Sequence, residues 1–131
     1  MPVLLQQLLS TQDVDNNKSV YYVYISNDKG QTVSKGAVYL SNHDRGLGIR
    51  VKKSPGEEVG SYWSDDEFNI NREKVKNDIG KIEKLLQENK VVVIIKSELD
   101  ELIEERFLEV CPRSYKYLRN SLAKCIRIYS P

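Results

Sequence analysis

At 131 residues the chain is long enough for one domain with a real core and too short for two of ordinary size. Its 20 Lys and Arg balance 19 Asp and Glu, and a formal net charge of +1 excludes a global field drawing the molecule onto nucleic acid or a membrane. Hydrophobic residues make up 40%, yet no apolar run approaches the roughly 20 residues of a membrane span, so a soluble cytoplasmic protein is expected.

The first residues, "MPVLLQQLL" (Met1 to Leu9), have a short apolar stretch but no basic start and no small-residue cleavage site. They do not read as a signal peptide, and residues 1–18 are expected to be an N-terminal extension. "SVYYVYIS" (Ser19 to Ser26) is rich in Val, Tyr and Ile and predicts a strand. "NDKG" (Asn27 to Gly30) is a turn, with Gly30 available for a positive φ. "AVYLS" (Ala37 to Ser41) predicts a second short strand, "NHDRG" (Asn42 to Gly46) another turn, and "LGIRVKK" (Leu47 to Lys53) a third extended segment. "SPGEEVGSYW" (Ser54 to Trp63), with one Pro and two Gly, is a loop. Taken alone, this half predicts a small β-meander.

The second half reads as helical. "SDDEF" (Ser64 to Phe68) opens a helix with Ser64 as N-cap and Glu67 three residues on as its capping-box partner. Ile70, Val75, Ile79, Ile82, Leu85 and Leu86 then recur at helical spacing among Lys, Glu and Asp. Gln87 to Lys90 end that helix, and the β-branched run Val91 to Ile95 predicts a strand buried on both faces. A helix leading into such a strand is half of a βαβ crossover, so the strand should lie parallel to an earlier one. Ser97 is placed to cap a short helix from Glu98 to Phe107, with Leu99, Leu102, Ile103 and Phe107 inward. Cys111-Pro112 breaks it, and a final helix runs from Pro112 to Ile126, burying Leu118, Leu122, Cys125 and Ile126. The fold class expected is α/β, with a mixed sheet flanked by helices, in one domain over residues 1–131.

Few side chains suggest chemistry. His43, the single histidine, sits in a polar turn with no activating neighbour. Cys111 and Cys125 lack metal-ligand spacing and should be free, buried thiols in a reducing compartment. The run Ser64 to Glu67 offers carboxylates to a metal, but capping explains it more simply. No Walker loop, zinc motif or nucleophile elbow occurs, so neither metal nor cofactor is expected. Glu98, Asp100, Glu101, Glu104 and Glu105 form an acidic block, whereas Arg113, Lys116, Arg119, Lys124 and Arg127 make the last helix basic. Helices of opposite sign can pair at their surfaces. The basic helix could otherwise meet nucleic acid, with Tyr115 and Tyr117 interleaved for stacking, although net charge near zero argues against it.

Three stretches together resemble a known family. "GLGIRVKKSP" (Gly46 to Pro55), then "YWSDDEF" (Tyr62 to Phe68), then "CPRSYKYL" (Cys111 to Leu118) are similar to motifs of small bacterial and phage proteins related to macro domains. The similarity covers about Tyr21 to Leu122 in the same order. It implies a macro-like fold with a pocket for ADP-ribose or a related nucleotide. Carried over by position, Asn27, Gly48, Lys52, Lys53 and Arg113 would be its ligand-binding residues. The family's glycine-rich "DGIGTG" falls on residues 98–103, where Leu99, Glu101 and Ile103 replace the three glycines. Such glycines let backbone N–H groups approach a phosphate, and Leu or Ile blocks that approach. The resemblance therefore implies a divergent member whose pocket is lost, a non-enzymatic accessory protein of phage type that binds another protein in the host cytoplasm. Glu101, Glu104 and Glu105 would face the partner, with Tyr62 and Trp63 as aromatic anchors. The alternative is a surviving binder or hydrolase of ADP-ribose-like nucleotides.

Overall fold

The computed structural model describes residues 3–6, 10–32, 34–56, 58–95 and 105–129. Four strands, β1 (Val3–Gln6), β2 (Val20–Ser26), β3 (Gly46–Arg50) and β4 (Val91–Ile95), form one sheet in the order β1-β4-β2-β3. Every neighbouring pair is parallel, so the mixed sheet and the β-meander expected from sequence are both corrected. β4 lies inside the sheet between β1 and β2, as its β-branched run predicts, and it is parallel to both.

The correction turns on residues 37–41, which are helical rather than extended. Helix α2 (Lys35–Ser41) begins at Ser34, whose hydroxyl accepts from the Ala37 N–H at 3.1 Å. Ala37 and Leu40, three apart, form its buried side. Because α2 carries the chain back, β3 pairs with β2 in parallel where a hairpin would have made it antiparallel. Residues 1–18, expected as an extension, contribute the edge strand β1 and helix α1 (Thr11–Asn16), which sends Val14 into the core. The Arg45 guanidinium donates to the carbonyls of Val14, Asn17 and Val20, fastening the end of α1 to the start of β2.

Alternation along the strands divides the core between two faces. Tyr22 and Val93 pack with Val14, Leu40 and Ile95 on the side of α1 and α2. Val23, Ile25, Ile49, Val92 and Ile94 point to the opposite, larger side. That side is covered by α3 (Phe68–Gln87), α4 (Glu105–Val110) and α5 (Pro112–Tyr129). The step from β2 to β3 and the step back to β4 run in opposite directions, and right-handed crossovers then place α2 and α3 on opposite faces.

α3 buries Val75, Ile79, Ile82 and Leu86 as its periodicity predicts. Ile70, expected inside, is 53% exposed, because Phe68 and Asn71 take the inward positions in the first turn. In α5, Leu118, Leu122 and Cys125 are buried as expected. The helix expected from Glu98 to Phe107 lies largely outside the described residues, with its cap Ser97 and with Leu99, Leu102 and Ile103; α4 begins at Glu105 and buries Phe107. Cys111 and Cys125 are free and buried. Burial, reinforced by nearby Asp65 and Glu83 respectively, pushes their thiols up to about 12 and about 11, leaving them protonated and unreactive at neutral pH.

Asp78 of α3 closes the outer edge of β3. Its carboxylate accepts from the Arg50 backbone N–H at 2.8 Å and from both Nε and Nη2 of the same residue at 3.0 Å. An edge-strand N–H that would otherwise recruit another strand is thus satisfied internally.

Candidate functional site

In open parallel sheets, ligands bind beyond the carboxyl ends of the strands. Here β2 delivers Asn27 to that edge and β3 delivers Lys52 and Lys53 beside it. The two exits are tied together: Val51 N–H donates to the Ser26 carbonyl at 3.2 Å and Asp28 N–H to the Lys52 carbonyl at 3.0 Å.

The Asn27 side chain is buried and closes its own loop. Its amide oxygen accepts from the N–H groups of Lys29 at 3.1 Å and Gln31 at 3.3 Å, while its nitrogen donates to the Gln31 carbonyl. Gly30 takes φ +66°, the left-handed conformation that the turn needs. Asp28 accepts from the Trp63 indole N–H at 3.2 Å and from Lys74 at 2.7 Å. Lys52 donates to the Gly56 carbonyl at 2.8 Å and lies 4.8 Å from the centre of the Tyr62 ring. Lys53 reaches Glu67 at 3.7 Å.

The residues expected from sequence separate into groups. Asn27, Lys52 and Lys53 converge at the carboxyl edge. Gly48 does not join them: it lies within β3 opposite Tyr24, and a Cβ there would sit 3.0 Å from the Tyr24 ring. Arg113 stands at the start of α5, its guanidinium 3.9 Å from the centre of the Phe68 ring. Tyr62 and Trp63, expected as partner-facing anchors, are core residues at 2% and 0% exposure. The loop before them turns back under the sheet edge, so that Tyr62 meets Phe107 edge-on at 5.7 Å and Trp63 is held by Asp28. Glu101 and Glu104 lie outside the described residues, and Glu105 is the first residue of α4.

Asp65 has a role that its local sequence conceals. Ser64 caps the short 3-10 turn Asp65–Glu67 that enters α3, its hydroxyl accepting from the Asp66 N–H at 3.2 Å. Asp65 instead caps α5 from a distance. It accepts from the N–H groups of Arg113 and Ser114 at 2.9 Å and from the Ser114 hydroxyl at 2.8 Å. Asn71 adds a bond to the Ser114 hydroxyl at 3.0 Å, so the two long helices start side by side at the carboxyl edge. Among the described residues, no group of three or more His, Cys, Asp or Glu is placed to hold a metal, and no helix is long and apolar enough to cross a membrane.

A model of a family of unknown function, DUF7831, matches residues 4–121. The chain belongs to that family. The DUF7831 match begins within β1 and ends within α5, so it takes in all of β2, β3 and β4 and every residue of the carboxyl edge discussed above. No curated protein and no solved structure matches the chain.

In this DUF7831 member, burial pushes the Asp65 carboxyl up, but its hydrogen bonds to Arg113 and Ser114 and the Arg113 charge outweigh that and hold it below the ordinary 3.8. A carboxyl with a depressed folded value contributes stability above its unfolded pKa and loses that contribution as pH falls through the folded value. Asp65→Ala should therefore cost about 2 kcal/mol at neutral pH. The gap to the native chain in urea midpoint should close as pH drops below the ordinary carboxylate range. A gap that stays constant into strong acid would show that the cap does not act through the charged form.

Proposed function

We propose that this DUF7831 member is a non-enzymatic accessory protein that acts by binding another protein, on a scaffold whose nucleotide pocket has been lost. One observation carries the reading: the polar groups at the carboxyl edge are engaged with one another. Asn27 closes its own loop, Asp28 is shared by Trp63 and Lys74, and Lys52 is held by Gly56 and Tyr62. A diphosphate entering there would have to break these contacts and would gain only what it replaced. The resemblance to phage proteins related to macro domains supports a phage-type accessory role in a host cytoplasm.

The alternative, a binder of ADP-ribose-like nucleotides, is favoured by the convergence of Asn27, Lys52 and Lys53 at the sheet edge where such ligands bind. Calorimetric titration with ADP-ribose separates the two. The expected dissociation constant is about 1 mM or weaker, which is some 4 kcal/mol of binding. Micromolar affinity that Lys52→Ala abolishes would install the alternative.

A further inference from the structure

We infer that the outer face of α5 is the docking surface, and that its occupant is an acidic helix of a partner protein. This rests on the protein-binding reading above and names the surface and the chemistry that it takes. α5 carries five cations, Arg113, Lys116, Arg119, Lys124 and Arg127, and not one carboxylate. All five are exposed, while Ser114, Tyr115, Leu118, Leu122 and Cys125 face inward. At 1.5 Å per residue they make a stripe about 21 Å long. Among the described residues, no carboxylate forms an ion pair with Lys116, Arg119, Lys124 or Arg127. The acidic side chains that the sequence suggests as its partners, Glu98, Asp100, Glu101 and Glu104, lie outside the described residues.

Such a stripe works against the helix that carries it. Arg113–Lys116, Lys116–Arg119 and Lys124–Arg127 are like-charge pairs at i, i+3, which destabilise a helix, and Arg113 sits at the positive end of the helix dipole. With a net charge of +1 for the whole chain, the rest of the molecule is net negative. The positive charge is segregated onto one helix, and segregated charge steers a complementary partner.

The geometry favours a finite acidic protein element over a nucleic acid. Tyr115 is buried, and Tyr117 is half-buried and packs at a right angle to Phe68 with ring centres 6.0 Å apart, so no row of exposed aromatics accompanies the cations for base stacking. A helix of about four turns matches the stripe in length. Ile128, 56% exposed one residue beyond Arg127, gives a protein partner an apolar contact that a phosphate backbone has no use for.

The test is fluorescence anisotropy with the full chain and a Glu-rich helical peptide of about 20 residues. Binding is expected at about 50 mM salt, weakening toward about 200 mM. Arg119→Glu with Lys124→Glu should weaken it at least ~10-fold without lowering the melting temperature, since both side chains are exposed and the change relieves like-charge pairs. Absence of peptide binding at low salt, or binding that the double variant does not alter, would overturn the surface. Tighter binding of a single-stranded DNA of matched charge would overturn the choice of a protein partner, and equal binding of a proline-interrupted acidic peptide would overturn the helical one. If that double variant proved unfolded, Arg119→Gln with Lys124→Gln is read in its place, with a smaller loss expected. Micromolar ADP-ribose binding would overturn the protein-binding reading itself, whereas failure of the peptide with ADP-ribose also unbound removes only this surface.

Discussion

Replacing Val93 with Asp should lower the melting temperature by more than about 10 °C. Val93 is 5% exposed in the interior strand β4, paired with Leu4 on one side and Tyr22 on the other. It packs with Val14, Tyr22, Leu40 and Ile95 beneath α1 and α2 in a cluster of hydrophobic side chains. A carboxylate there loses the transfer free energy of the valine and gains no partner, at a cost of about 4 kcal/mol or more. That is a large share of the roughly 5–15 kcal/mol that hold a domain of this size. Thermal unfolding followed by circular dichroism decides the matter, and a variant melting within a degree or two of the native chain would refute the placement of β4.

The second large effect is expected at Gly46. A Cβ built there would lie 2.0 Å from the Leu40 carbonyl oxygen and 2.8 Å from its carbon. Both are backbone atoms at the end of α2, so relief requires α2 or β3 to move, and β3 is fastened to β2 along its length. Gly46→Ala should destabilise by about 3 kcal/mol or more, as overpacking against an unyielding neighbour does. Gly48→Ala provides the contrast, since its added methyl would meet the Tyr24 ring, a side chain able to turn aside. The urea midpoint of Gly46→Ala should thus fall well below that of Gly48→Ala. The reverse order would mean that the α2–β3 turn yields more easily than an aromatic ring. In either case the effect is structural, as expected of a turn that shapes the fold.

The elements legible in the sequence were those with long or unambiguous patterns. Five β-branched residues in a row mark β4, and apolar residues at helical spacing mark α3 and α5. α2 was not legible, because "AVYLS" is a short apolar run that suits a strand or a helix equally. Its decisive signal was Ser34, a cap three residues ahead of the first buried position, and missing it turned a parallel sheet into a meander. At the candidate site, Asn27 and the Lys52–Lys53 pair were named only through the family resemblance, and they lie side by side because β2 and β3 are parallel neighbours. Tyr62 and Trp63 were misplaced because a loop rich in Pro and Gly suggests exposure, whereas this loop folds back to bury its aromatic end. The caps made by Asp65 on α5 and by Asp78 on β3 leave no local trace, since each joins residues far apart in the chain.

The strand order also governs when the protein can assemble. Among the described strands, β1 comes first in the chain and pairs with β4 alone, Val3 with Val92. During synthesis β2 and β3 can meet early through α2, but β1 must wait without a partner until residues 91–95 have left the ribosome. A nascent chain halted before β4 would display two unfilled strand edges and a Val23 and Ile25 face still lacking the cover of α4 and α5, which is the kind of surface that aggregates or recruits a chaperone. Closure of the sheet by such distant pairs is slow relative to helix formation. β4 thus acts as a latch for the strands that precede it, and the interval before it closes is the period of greatest vulnerability.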